Sequence, residues 1–193
     1  MNGVRQEIIQ PLKNASSQIT NDSTWSDIVS ILWSLYPDKI TMTLYNAGVN
    51  TGNFSQFSTN GKSSVTFSSS SINLLSYYDE DAVGYVGIIT DSQYGIDRLT
   101  KLTVTYNATS VVSKSNPPYV AYVKIGLFKT KSFNDSSSIL FTLANNFTSA
   151  SGTITNDISN ITGNYYIGVI IHAPYYYSKY NSCVITNIQL SNF

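Results

Sequence analysis

From Lys39 onward the apolar and polar positions of the chain alternate with a period of two. Nine segments carry the pattern: "KITMTLYNAG", "SSVTFSS", "VGYVGIIT", "RLTKLTVTYNAT", "YVAYVKIGLFKT", "SILFTLA", "GTITNDIS", "NYYIGVIIHA" and "SCVITNIQLS". They are rich in Val, Ile, Thr and Tyr and are punctuated by Ser, Asn, Gly and Pro, as half-buried strands and their turns are. In "KLTVTYNAT", Leu102, Val104 and Tyr106 alternate with Thr103 and Thr105, giving one core face and one wet face. In "YVAYVKIGLFKT", Val123, Ile125 and Leu127 face away from Tyr122, Lys124 and Gly126. The neighbours Tyr77 and Tyr78, like Tyr165 and Tyr166, point to opposite sides of a strand, so one of each pair is expected in the core. With no helical pattern between them, eight or nine such strands predict an all-β antiparallel sandwich over residues 39–193.

The first 38 residues follow another period. In "DSTWSDIVSILWSLYP" the residues Trp25, Ile28, Val29, Leu32 and Tyr36 fall at helical spacing. Thr24, followed three residues later by Asp27, fits a capping box, and Pro37 stops the helix. Val4, Ile8 and Leu12 suggest a shorter helix, disturbed by Pro11. Two such short amphipathic helices cannot bury their stripes alone. Residues 1–38 are therefore expected to dock on the sandwich, on copies of themselves or on a partner.

Composition narrows the function. Formal net charge is zero and charged residues are 11%, the polarity coming from Ser, Thr and Asn, about a third of the chain. No basic face is available for nucleic acid, which needs one for counterion release. No apolar run approaches a membrane span, and "MNGVRQEIIQPLKN" lacks the apolar stretch of a secretion signal, so synthesis in the cytosol and no membrane insertion are expected. Cys183 is the single cysteine, which excludes an internal disulfide and a Cys-based zinc site; it reads as a small buried residue on a strand. The sequons at Asn14, Asn21, Asn53, Asn107, Asn134, Asn146 and Asn160 are what chance yields in so Asn/Ser/Thr-rich a chain.

The run "YGIDRLTKLTVTYNAT", "YVAYVKIGLF", "ITNDISNITGNYYIGVII", "CVITNIQLSNF" resembles the closing half of a galactose-binding-like jelly roll. That sandwich recurs in carbohydrate-binding modules and in accessory domains of phage tail and head-fibre proteins. The resemblance covers roughly residues 80–193, and the N-terminal segment is similar to the short helices that precede such domains in phage structural proteins. It implies a jelly-roll winding and a binding or structural role. It maps no binding residues, because these sandwiches share no universal binding motif.

Four features are candidates for chemistry. His172, the only histidine, ends an apolar run and reads as a strand-end residue; no third group completes a catalytic set with Cys183. Asp79, Glu80 and Asp81 are clustered oxygen ligands, a calcium candidate without the spacing of an EF-hand loop and otherwise a solvated turn. Acidic pairs of the kind a glycosidase needs are too easily found by chance to argue for one. Tyrosine dominates, with 15 copies, and Tyr175, Tyr176 and Tyr177 after Pro174, with Tyr180 close behind, read as the loop joining the last two strands. A tyrosine offers a flat apolar face and a hydroxyl at small entropic cost. These four are candidates to contact a sugar, a neighbouring subunit or their own domain.

The expectation is a non-enzymatic structural or binding component of a bacteriophage virion, made in the host cytoplasm and displayed on the particle surface. Its helices would anchor it to other virion proteins, and its sandwich would serve host-glycan adhesion or decoration. A homo-oligomer is expected, a trimer first. A secreted bacterial carbohydrate-binding module is the alternative, and a glycan hydrolase the outsider. No cofactor is expected beyond the possible calcium.

Overall fold

The computed structural model describes residue 24 and residues 39–58, 62–77, 84–112, 122–133, 136–145, 147–173 and 178–193. The predicted helices, with Trp25, Ile28, Val29, Leu32 and Tyr36, lie outside the described residues, as do Asp79, Glu80, Asp81, Tyr175, Tyr176 and Tyr177. Twelve strands are seen: β1 (Thr41–Asn46), β2 (Phe54–Ser58), β3 (Ser64–Phe67), β4 (Ile72–Tyr77), β5 (Gly84–Thr90), β6 (Tyr94–Gly95), β7 (Lys101–Val112), β8 (Tyr122–Phe128), β9 (Ile139–Asn145), β10 (Ser149–Asp157), β11 (Asn164–Ala173) and β12 (Ser178–Ser191). The expected eight or nine were too few. The additional ones are β2, β4 and β6. In β2 the two phenylalanines stand three apart and break the alternation; β4 follows a serine run and turns Ser76 inward; β6 is two residues long.

All pairings are antiparallel, in two sheets. Sheet I has the order β10-β7-β12-β4-β3, with β1 also on β12; sheet II has the order β2-β5-β11-β8-β9, with β6 also on β11. The chain crosses repeatedly between them, and only the hairpins β3–β4 and β8–β9 and the short β5–β6 connection stay within one sheet. The fourteen-residue β12 serves two partners along one edge, pairing β4 through Tyr180–Ile185 and β1 through Asn187–Ser191, with an irregularity between Ile185 and Asn187.

The inner faces pack as the alternation predicts. Leu102, Val104, Tyr106 and Ala108 of sheet I meet Val123, Ile125 and Leu127 of sheet II, with Ile72, Leu74, Ile185, Ile167, Val169 and Ile171 completing the core. Removing this apolar area from water is the main stabilising term, about 25 cal/mol per Å². Two polar ties cross between the sheets. The Tyr106 hydroxyl donates to the Leu143 carbonyl at 2.6 Å, and the Asn181 amide donates to the His172 carbonyl at 2.7 Å. Tyr165 is buried while Tyr166 stands half-buried on the other side of β11, as expected of that pair. Cys183 is fully buried among these residues, as its reading as a strand residue required.

The outer faces differ. On sheet I, β10, β7 and β12 present Ser151, Thr153, Thr155, Thr103, Thr105, Asn107, Asn187 and Gln189, an uncharged polar lattice. Hydroxyls pair across its strands, Thr103 with Thr155 at 3.0 Å and Thr105 with Thr153 at 2.9 Å. On sheet II much of the outer face is covered by the chain itself. Gly87 and Gly168 leave room for the Phe133 ring, which also meets Phe57 and Phe128, each at 5.0 Å between centroids. The segment carrying Phe133 is clipped at its stem: Lys131 pairs with Asp91 at 2.7 Å, and Gln93 donates to the Lys129 carbonyl at 3.0 Å. Ile89 and Ile170 are buried on this side although they point away from the main core.

Candidate functional site

Covering by Phe133 stops short of one end of sheet II. There, Tyr122 of β8, His172 of β11 and Tyr85 of β5 stand directly opposite one another in adjacent strands. Their neighbours Val123, Ile171 and Val86 are fully buried, so period-two geometry turns this row outward. The rings form a continuous row: Tyr85 and His172 centroids are 4.5 Å apart, and Tyr122 stacks on His172 at 4.8 Å with 20° between planes. Lys124, two residues along β8, holds its Nζ 4.6 Å from the centre of the Tyr122 ring. All three residues are half-buried, and within the row both ring nitrogens of His172 are shielded from solvent.

The row is joined to the other sheet. Asn181 anchors the His172 carbonyl, and one residue before it Tyr180 pairs with Tyr77 of β4 on the outer face of sheet I, the rings 5.7 Å apart. Tyr180, the described member of the expected tyrosine cluster, therefore stands at the same end as the row but on the opposite face. The strands bounding segments 78–83, 113–121 and 174–177 all end or begin here. Four described tyrosines and the lone histidine thus gather at one end of the sandwich. The inward row beneath is polar as well: Ser76, Asn181 and Ser110 are cross-strand neighbours and are buried, where the next row holds Leu74, Cys183 and Ala108.

His172 had been expected as the end of a strand, and it is the penultimate residue of β11. Its place between two tyrosines was not foreseen, because residues 85, 122 and 172 meet only through strand register. A pairing with Cys183 is excluded by geometry: the thiol faces the core from sheet I, while the imidazole faces outward from sheet II. The three described acidic side chains all have structural partners. Asp91 takes hydrogen bonds from Ser55 and Lys131, Asp97 from the Gly163 amide, and Asp157 from the Ser159 amide. Among the described residues no group of three or more His, Cys, Asp or Glu side chains is placed to hold a metal ion, and no helix is long and apolar enough to cross a membrane.

The chain is similar to carbohydrate-binding modules. A family 29 module from Piromyces equi matches over 81% of this chain and 92% of its own, at 14% identity and a TM-score of 0.42. A family 11 module from Clostridium thermocellum, solved with a beta-1,3-1,4-mixed-linked tetrasaccharide, matches over 78% of this chain and 94% of its own, at 16% identity and a TM-score of 0.47. The glycoside hydrolase domain of Endo-D from Streptococcus pneumoniae R6 matches over 72% of this chain but 22% of its own, at 14% identity and 0.48. No protein-family model and no curated protein matches the chain.

Electrostatics at the row favour a neutral phenol at Tyr122. Burial pushes the Tyr122 hydroxyl well above its ordinary 10.0, and the Tyr85 phenol beside it adds to the rise. Burial likewise pushes the Cys183 thiol from 9.0 up to about 12. Both groups bind their protons more tightly folded than unfolded, so the stability they lend is complete below the ordinary values and is lost as pH rises through the folded ones. Urea midpoints are therefore expected to hold steady from pH 7 to about 8.5 and to fall progressively above about 9. Cys183→Ala should remove the part of the fall that starts near 9. Tyr122→Phe should remove a share of the part that starts near 10, to which the Tyr45, Tyr94 and Tyr106 phenols, also raised by burial, contribute. A midpoint independent of pH up to 11 in the wild-type protein would contradict the assignment.

Proposed function

We propose that the protein is a non-catalytic glycan-binding module whose contact surface is the tyrosine-lined end of the sandwich. One observation carries the reading: beyond the Phe133 segment, the outer face of sheet II carries the row Tyr122–His172–Tyr85, stacked ring against ring with Lys124 over the Tyr122 face, so that it turns ring edges outward beside an ammonium. Such a row offers a sugar the apolar edges of its rings, while phenol hydroxyls and an ammonium supply the few directed hydrogen bonds that orient it. The winding of the two sheets supports a jelly roll of the kind found in carbohydrate-binding modules.

The setting we propose comes from the sequence: display on a phage particle, where the module would meet a host-surface glycan. A secreted bacterial module would use the same surface. Antibody labelling of particles separates the two, since particles that carry no label remove the virion setting and leave the binding surface untouched.

Affinity electrophoresis in gels cast with soluble polysaccharides tests the binding itself. The panel pairs neutral polymers with their uronic-acid-bearing counterparts, and reducing ends are assayed in parallel. Retardation by at least one polymer, without release of reducing ends, is expected. Free migration through every gel overturns the glycan reading, and a steady rise in reducing ends overturns the non-catalytic one.

A further inference from the structure

Among the described strands sheet I is bounded by β10, β3 and β1 and sheet II by β2, β9 and β6, and all but β10 are short or blunted. Strand β6 has two residues, and on β1 the Leu44 and Thr43 carbonyls already accept from the Gly52 amide and the Thr51 hydroxyl. Strand β3 has four residues and β2 has five, too short to template a partner. Strand β9 has seven, shifts register against β8, and turns Leu140 back over Gly126. Strand β10 is different. It has nine residues, its register with β7 runs from Ser149 to Asp157 without a shift, and it ends the strand order of sheet I. Its sequence, SASGTITND, contains no proline, no lysine and a charge only at its last position. Soluble proteins usually protect an edge of this length with bulges, prolines or inward charges, because its outer backbone groups invite another strand.

We propose that β10 is the association edge of the protein and that its occupant is β10 of a second copy, paired antiparallel about a twofold axis through Thr153. The strand is self-complementary in that register. All nine residues overlap, and Thr153 faces Thr153 of the second copy. On the outer face Ser151 meets the second copy's Thr155, so the hydroxyl rows Thr103–Thr155 and Thr105–Thr153 continue across the axis. On the inner face Gly152 meets the second copy's Ile154. A Cβ at Gly152 would find nothing within 4 Å, so this position opens space at the border of the core. Ile154 is packed against the core but still half-buried, and it is the side chain that this space would receive. Two six-stranded sheets would merge into one of twelve. An isologous contact of this kind closes on itself and gives a dimer rather than the trimer first expected.

The twofold makes the test specific, because a charge placed on the axis meets its own copy. Light scattering on the eluting full chain is expected to give twice 21.3 kDa for the wild type and 21.3 kDa for both T153K and T153E, with near-UV circular dichroism of each variant unchanged. An equimolar mixture of T153K and T153E is expected to return to the doubled mass. The inference is overturned by a wild type that stays monomeric at its highest soluble concentration. It is equally overturned by a trimer, by T153K eluting as the wild type does, or by a mixture that fails to reassociate. It stands apart from the glycan reading, since Thr153 lies on sheet I and the aromatic row on sheet II.

Discussion

Tyr122→Ala is expected to weaken glycan binding by roughly thirtyfold or more, the scale of a central aromatic hot spot at about 2 kcal/mol. The ring is the outer member of a stacked row, so its loss also uncovers His172 and leaves Lys124 without the face over which it sits. Some stability goes with it, about 1 kcal/mol for the ring contact beyond the buried area. Binding must therefore be read well below the melting temperature. Tyr122→Phe keeps the stacked ring and removes the hydroxyl, and it is expected to fall between wild type and alanine. Thr66→Ala, an exposed position on sheet I, serves as the control and should change nothing. If the alanine variant at 122 is retarded by the polysaccharide as strongly as the wild type, the row is not the contact surface.

Gly87→Val is expected to destabilise the protein strongly by overpacking the outer face of sheet II. A Cβ at this position would lie 2.5 Å from the Val169 carbonyl oxygen and 2.9 Å from the tip of the Phe133 ring. The ring can swing away, but the carbonyl belongs to the central strand β11 and cannot. Overpacking of this kind costs about 3 kcal/mol or more, which for a domain of this size lowers Tm by roughly 6–12 °C. Alanine in place of valine separates the two obstacles. In a double-mutant cycle Gly87→Ala and Phe133→Ala should couple, because removing the ring relieves one of the two clashes created by the new methyl group. A Gly87→Val protein that melts with the wild type, or a cycle that closes with no coupling energy, would speak against the close packing of Phe133 on this strand.

These two positions show where sequence is readable and where it is not. The inward rows of β7 and β8 could be taken directly from alternation, since Leu102, Val104 and Tyr106, like Val123, Ile125 and Leu127, obey a local rule that a single strand enforces. Cys183 and the pair Tyr165–Tyr166 followed from the same rule. Strand β4 was missed because its inward positions are Ile72, Leu74 and Ser76, the last of them matched to Asn181 and Ser110 in a polar row that only the assembled sheet reveals. The apolar patch beneath Phe133 was missed for a similar reason. A glycine in a strand signals a close approach, but Gly87 and Gly168 lie on different strands, and their sequence gives no hint that both make room for the Phe133 ring. The aromatic row is the extreme case. Tyr85 and Tyr122 are separated from His172 by 87 and 50 positions, and no periodicity within one segment can bring them together. Tyr180 was singled out by tyrosine density and expected in a loop, yet it lies in β12, because density is a local signal that names neither strand nor face.

Strand β12 carries a kinetic consequence. It lies in the middle of sheet I, between β7 on one side and β4 and β1 on the other, yet it is the last of the twelve strands in chain order. The first strand has its partner in the last, from Thr41–Ser191 to Asn46–Asn187. A chain emerging from the ribosome must hold β1, β4 and β7 without their common neighbour until β12 is out, and loop closure over most of the domain has to precede that reward. Folding of this sandwich is thereby deferred until β12 has been made, and its half-made sheet depends on being kept from other chains until then.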